Sequence, residues 1–263
     1  MRGAGSRSAG GPQRPRPPRG PGSLAGVRAT AAPSAVDAPL AVVIPALNEA
    51  GHLPALLADL AMAPAGLIES CLVVDGGSRD GSPTLSALAG ARVMQSAGGR
   101  GCQLTAGVTR SRAAWLLLLH ADLRLAPGWW SAVQRAMAAP EAPWCFRLGI
   151  QGAGPALRLV EWGVRLRSGL GQLPYGDQGL LLPRRLLERA GGLRALPLME
   201  DLDLILRLRQ LGTIRDLGLP VQVDGRRWRR LGVWGTAWRN ARLRRAWRRG
   251  ADPAALAARY YQL

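Results

Sequence analysis

From Leu40 onward, short unbroken apolar runs alternate with segments whose apolar residues recur at helical spacing. Leu40-Ala-Val-Val-Ile-Pro45 and Cys71-Leu-Val-Val-Asp75 read as strands buried on both faces, which need no polar alternation. Ala91–Gln95 and Ala113–His120 read as two more. Between them lie helical patterns. Leu53, Leu56, Leu57 and Leu60 share one face, and Ser82–Leu88, Gly101–Arg112 and Pro127–Met137 follow. Strand and helix alternating over short links predict an α/β fold, a mostly parallel sheet flanked by helices. The second half is less regular. Trp144–Ile150 reads as a strand, Pro155–Arg167 as a helix, and Tyr175–Pro183 as a loop entering a strand. Arg184–Ala190 is helical and stopped by Gly191-Gly192, and Glu200–Leu211 is an amphipathic helix closed by Gly212. From Gly232 the chain is basic and amphipathic, with Trp234, Trp238 and Trp247 among arginines.

Composition adds boundaries to this pattern. Residues 1–36 are rich in Gly, Pro, Ser, Ala and Arg and cannot bury enough apolar area to offset their ordering entropy. They are expected to be a disordered tail, or an extension upstream of the true start. The expected organisation is this tail, a catalytic domain over 37–225, and a basic helical segment over 226–263. The net charge is +18, carried by arginine with no lysine at all, a usage that fits GC-rich coding. The arginines concentrate before Asp37 and between Arg226 and Arg249. Such basic poles suit anionic membrane surfaces, nucleic acid or phosphorylated substrates. Their placement in tails, away from any recognisable binding motif, argues against nucleic acid. Cys71, Cys102 and Cys145 are odd in number and lack CxxC spacing, which argues against a disulfide framework or a zinc knuckle and favours a reducing compartment. No apolar run approaches the roughly 18 residues that span a bilayer. The expected location is the cytoplasm, with the inner face of the plasma membrane as a peripheral site.

In sheets of this kind, ligands bind outside the carboxyl ends of the strands. The first strand runs into Pro45-Ala-Leu-Asn48-Glu49, the second into Asp75-Gly76-Gly-Ser78-Arg-Asp80-Gly-Ser82, and the fourth into His120-Ala-Asp122. The Asp75 segment lacks both GxGxxG and GK[ST], so it is neither a dinucleotide fingerprint nor a P-loop. It is either a ligand loop, whose aspartate accepts hydrogen bonds from a base or ribose, or a tight turn capped by Ser78 or Asp80. His120 and Asp122 either share a hard divalent ion whose shell is completed by substrate phosphates, or settle the turn before Pro127. Gly98-Gly-Arg100-Gly-Cys-Gln103 sets an arginine at a helix start, where a phosphate is favoured; the alternative is a loop with a solvated arginine. Glu200-Asp201-Leu-Asp203 opens a helix with acids, which suits the helix dipole and equally a general base.

Taken in order, Pro45-Ala-Leu-Asn-Glu49, Asp75-Gly-Gly-Ser-Arg-Asp80, a strand ending on Asp122, and Glu200-Asp201 resemble family 2 glycosyltransferases of the GT-A, Rossmann-like fold. More narrowly, Gly99-Arg-Gly-Cys-Gln103, Leu119-His-Ala-Asp122, Tyr175-Gly-Asp-Gln178 and Met199-Glu-Asp-Leu-Asp203 resemble a bacterial glycosyltransferase-like subgroup related to carotenoid-acid (diaponeurosporenoate) glycosyltransferases. The resemblance implies a non-processive, inverting, metal-dependent transferase. It would move a sugar from a nucleotide-sugar donor to a hydroxyl or carboxyl of a small or lipid acceptor. The implied donor-binding residues are Pro45, Asn48, Glu49, Asp75, Gly76, Arg100 and Gln103. Asp122 with His120 would take Mn²⁺ or Mg²⁺, Asp201 with Glu200 would be catalytic, and Asp177, Gln178 and Trp228 would lie on the acceptor side. Two departures stand out. His120 replaces the first acid of the family's DxD element, which lowers the charge at the metal. The (Q/R)xxRW element of processive members is half present as Arg227-Trp228, with Asp224 in place of Gln or Arg. The alternative reading is a non-catalytic nucleotide-sugar-binding protein of the same fold. The C-terminal segment either rests on an anionic membrane and presents a lipid acceptor, or packs on the catalytic domain with its arginines solvated.

Overall fold

The structure is a computed structural model that describes residues 40–225 and 232–261. Strand β1 (Leu40–Ala46) is buried at every position. Its alternate residues feed two different cores: Val42 and Ile44 point into one apolar cluster, Ala41 and Val43 into the other. A strand covered on both faces has no use for polar alternation, which is why its sequence is an unbroken apolar run. β2 (Ile68–Asp75) and β3 (Arg92–Gln95) add in parallel on one side of β1, and β4 (Trp115–Leu118) on the other. Helices α1 (Leu53–Ala61), α2 (Ser82–Leu88) and α3 (Arg100–Arg110) make the crossovers. Helix α3 lies close on the sheet. A Cβ at Gly107 would strike Val43 and Val74, so only glycine permits that approach.

Beyond β4 the sheet changes character. β5 (Leu123–Leu125), α4 (Trp129–Ala138), β6 (Trp144–Ile150), α5 (Pro155–Gly169), β7 (Leu180–Pro183) and α6 (Arg184–Arg189) follow. Then come α7 (Glu200–Leu211) and β8 (Arg215–Val223). The eight strands lie in the order β3-β2-β1-β4-β7-β6-β8-β5. β7 runs antiparallel to both β4 and β6, β8 is parallel to β6, and β5 is antiparallel to β8. This is the GT-A arrangement of a mostly parallel sheet flanked by helices.

The expected elements of the first half are present with shifted ends. β2 begins at Ile68 rather than Cys71, β3 at Arg92, and β4 spans Trp115–Leu118 rather than Ala113–His120. α3 starts at Arg100 and ends at Arg110, and α4 runs from Trp129 to Ala138. α7 has its expected limits. The sequence reading missed β5 and β8. The C-terminal segment forms two helices, α8 (Val233–Arg248) and α9 (Pro253–Tyr261), broken at Gly250. Leu243, Leu256 and Ala257 from these helices pack with Leu198, Met199 and Leu202 in a third apolar cluster. This cluster packs the two helices against the segment that leads into α7. Among the described residues, no helix is long and apolar enough to cross a membrane.

Candidate active site

The ends of β1 and β4, the start of α3, a 3-10 turn at Gly176–Gln178 and the start of α7 surround a cleft of about 440 Å³. Eight of the anticipated residues line it: Pro45, Glu49, Arg100, Gln103, His120, Asp122, Asp177 and Asp201.

The loops that carry the donor side are cross-braced. The Asn48 and Glu49 amides donate to the hydroxyls of Ser78 and Ser82 at 2.8 Å each, and the Ala50 amide donates to Asp80 at 2.9 Å. Asn48 adopts a left-handed φ of 54°, and its Oδ1 accepts the Arg79 amide. The Ser82 hydroxyl and the Ala50 amide hold the Asp80 carboxyl below its ordinary range. Asn48 thus fixes the loop and does not line the cleft. Asp75 is fully buried, and its carboxylate accepts the amides of Gly77 and Ser78. Here the turn reading describes Asp75. Gln103 is buried at the join of two strands, its Nε2 donating to the carbonyls of Ala46 and Val74 at 2.7 Å each. Gly76 provides room for that amide, because a Cβ there would come within 3.0 Å of it.

Glu49 reaches the far wall through a histidine that the sequence reading overlooked. His52 Nδ1 lies 2.9 Å from Glu49, and its Nε2 lies 2.9 Å from Asp224 at the end of β8. Both carboxylates line the cleft, so His52 joins the loop after β1 to the end of β8. Asp224 was noticed only as a departure from a motif.

The adjacent acids of α7 have different fates. Glu200 is buried, does not line this cleft, and faces Arg100 with Nε 2.8 Å from Oε1. Burial raises the Glu200 carboxyl above its ordinary range, and Arg100 opposes the rise. Glu200 therefore holds Arg100 and is too enclosed to meet an acceptor, contrary to the pairing of Glu200 with Asp201 as catalytic. Asp201 faces the cleft. Its Oδ2 accepts the Gly176 amide at 2.8 Å and its Oδ1 the Leu202 amide at 2.7 Å. A Cβ at Gly176 would collide with the His120 ring and press on Asp201, so glycine keeps these two side chains together. The preceding residue, Met199, has a left-handed φ of 67°, which starts the helix in the orientation that divides the two acids.

A second glycine governs the same region. A Cβ at Gly101 would collide with the backbone of Leu196 in the segment leading into α7. The backbones of α3 and that segment touch at this point, bringing Arg100 against Glu200.

Asp177 also lines the cleft. Its Oδ1 is buried without a hydrogen-bond partner among the described residues. Burial raises its carboxyl, Arg167 opposes this, and Asp201 and, more weakly, Asp122 add to it. Gln178 is buried and fully engaged: its Nε2 donates to Phe146 at 2.9 Å and its Oε1 accepts from Ser168 at 2.8 Å. It positions the turn and is not open to an acceptor. Trp228 lies outside the described residues. The remaining wall comes from α8 and α9, with Thr236, Asn240, Leu243, Arg244 and Tyr260, and Tyr175 joins it. In the sequence Arg244 is one arginine among many, and nothing marked it.

Among the described residues, no three His, Cys, Asp or Glu side chains assemble into a metal cage. The donor set nevertheless fits a hard divalent ion that takes part of its shell from a substrate. His120 and Asp122 line one cleft, and the charges of Asp122 and Asp201 bear on the orphaned carboxyl of Asp177.

Fold and cleft together define a glycosyltransferase of the GT-A class. The chain matches the family described as "Glycosyl transferase family 2" over residues 41–184, more than half its length, and it belongs to that family. Among solved structures, it resembles a crystal structure of a mycobacterial protein with a TM-score of 0.55 and 20% identity, covering 73% of this chain and 67% of that one. It also resembles glucosyl-3-phosphoglycerate synthase from Mycobacterium tuberculosis in complex with Mn²⁺ and UDP-glucose, with a TM-score of 0.54 and 21% identity over 71% of this chain and 72% of that one. The same synthase in complex with Mg²⁺ and UDP gives a TM-score of 0.52, 21% identity and 71% and 72% coverage. At these identities the likeness is one of fold. No curated protein matches the chain.

Proposed function

We propose that this protein transfers a sugar from a nucleotide-sugar donor to an acceptor in a single, non-processive, inverting step, with Asp201 as general base. The observation that carries this reading is the position of Asp201. It is held by two backbone amides on the cleft wall, beside His120, in a cleft also lined by Glu49, Arg100 and Gln103. A base held by the backbone keeps its aim while the substrate moves.

The acceptor hydroxyl or carboxyl oxygen attacks the anomeric carbon from the face opposite the leaving group. The new C–O bond forms as the bond to the diphosphate oxygen breaks, and Asp201 takes the proton of a hydroxyl acceptor. Glu49 and Arg100 hold the donor, with Glu200 keeping Arg100 in place. Asp122 and His120 hold Mn²⁺ or Mg²⁺, whose chemistry when bound is neutralisation of charge on the departing diphosphate. The synthase structures with Mn²⁺ or Mg²⁺ and UDP support this choice of ion and donor class.

A thermal-shift panel of UDP-, GDP- and TDP-sugars, each with and without Mn²⁺, tests the reading. A cognate donor at 100 times its Kd stabilises by about 2.7 kcal/mol, or about 5 °C or more for a chain of this size. No shift with any nucleotide or nucleotide-sugar would overturn the proposal.

A further inference from the structure

Next to the catalytic cleft lies a second one of about 570 Å³. Arg167 from α5, Tyr175, and Arg244, Arg245, Arg248 and Arg249 from α8 line it, and no lining residue is acidic. We propose that this cleft binds the anionic group of the acceptor, a phosphate or a carboxylate. The proposal rests on the transferase reading above and names its acceptor class.

The charges gather without a close ion pair. Among the described residues, none of these five arginines has a carboxylate oxygen within 4.0 Å, although nine ion pairs form elsewhere. The helix dipole accounts for basic residues near the last turn of α8. It does not account for Arg167, which comes from another helix. Arg167 lies over the Tyr175 ring at 3.8 Å from its centroid, and Arg244 approaches the same ring at 5.0 Å. Two guanidinium groups thus share one aromatic ring. Burial lowers the pKa of Arg167, and the charge of Arg244 adds to that, while Asp177 and Tyr175 oppose it. Nε of Arg167 is tied to the Leu173 carbonyl at 2.8 Å, so this guanidinium is already aimed. A planar, pre-set guanidinium beside four further arginines suits a tetrahedral or planar anion.

Position gives the cleft its role. Tyr175 and Arg244 line both clefts, whereas Glu49, Arg100 and Gln103 line only the first. Tyr175 directly precedes Gly176, whose amide holds Asp201. An acceptor with its anion among the arginines would extend past Tyr175 towards the base, from the side away from the donor. The same chemistry serves a small phosphorylated metabolite or an anionic lipid headgroup.

Three measurements on the full chain test this, comparing the wild type with Arg245→Gln/Arg248→Gln. Both residues are exposed. Arg165→Gln/Arg209→Gln, also exposed and equal in charge change, is the control. Inorganic phosphate is titrated by calorimetry, and pelleting is measured with phosphatidylglycerol and phosphatidylcholine vesicles. UDP and GDP binding with Mn²⁺ is the third reading. The expected result is phosphate binding about tenfold weaker or more in the cleft variant alone, with nucleotide binding unchanged. Loss of phosphate binding without vesicle pelleting assigns a soluble acceptor. Pelleting with phosphatidylglycerol that phosphate competes away, and that the cleft variant loses, assigns a headgroup. The proposal is overturned if neither phosphate nor vesicle binding depends on Arg245 and Arg248, if the control variant loses as much, or if nucleotide binding falls in parallel. A wild type that binds phosphate but no nucleotide would instead sink the transferase reading and leave the anion site standing.

Discussion

The two walls of the catalytic cleft are built differently. On the strand side, the reactive positions hang on backbone hydrogen bonds and buried partners: Gln103 clamps two strand ends, Ser78, Asp80 and Ser82 brace the loop carrying Glu49, and Glu200 secures Arg100. On the helical side, α8 and α9 attach through a small apolar cluster around Leu243 and Leu256, with Arg244 against the Tyr175 ring and Arg245, Arg248 and Arg249 lining the second cleft. The first wall is therefore rigid and continuous with the main core. The second is a separate layer whose chemistry can change without disturbing the sheet. A donor with constant chemical parts suits the first wall, and a variable acceptor suits the second.

Substitutions that act on one wall at a time sharpen this contrast. The largest effect is expected at the base. Asp201→Asn should lower kcat by about 10²- to 10⁴-fold, while nucleotide affinity measured by calorimetry stays within a few-fold of wild type. Gln103→Ala removes the side-chain donor to the Val74 carbonyl and one of two donors to the Ala46 carbonyl, which keeps the Gly76 amide, and should cost about 1–3 kcal/mol of stability, read as a lower urea midpoint and accompanied by weaker nucleotide binding. Leu243→Ala trims the small cluster on the helical side and should cost about 2 kcal/mol. If α8 and α9 form a separable layer, hydrogen exchange should quicken there and stay unchanged in β1 and β2. Equal quickening in both walls would break the comparison.

Much of the strand-side wall was legible in the sequence because its information is local. Leu40–Pro45 and Cys71–Asp75 advertise doubly covered strands, and the polar residues directly after them mark the ligand edge. β5 and β8 were not legible. Leu-Arg-Leu is too short to show a period, and Arg215–Val223 is interrupted by Gly218 and Pro220. Their pairing with each other joins segments about 100 residues apart, which no local pattern encodes. The same limit explains the misassigned side chains. Glu200 and Asp201 look alike at a helix start, and only their different directions around α7 separate the buried partner of Arg100 from the half-buried carboxylate that lines the cleft. Gln178 and Asp75 sit in plausible ligand motifs, yet the Asp75 carboxylate accepts neighbouring backbone amides and the Gln178 amide is held by the Phe146 carbonyl and the Ser168 hydroxyl.

The smallest effect concerns the cysteines. Burial pushes the thiols of Cys71 and Cys145 up to about 12, so both should resist alkylation in the native state at pH 8 and react after denaturation, counted by mass spectrometry. The sign of the linkage follows. The native protein holds these protons more tightly than the unfolded chain, so their contribution to stability is complete below about pH 9 and is lost as pH rises towards about 12. Urea midpoints measured across that window check the slope.

Gly101 carries a consequence for anyone wishing to redirect this catalyst. Its missing side chain is the spacer between the start of α3 and the segment that launches α7. One methyl group there would pry Arg100, Glu200 and Asp201 apart together, although Gly101 itself does no chemistry. Randomised libraries should leave α3 untouched and draw their diversity from Thr236, Asn240 and Arg244, where new shapes meet the incoming molecule and the machinery behind them stays still.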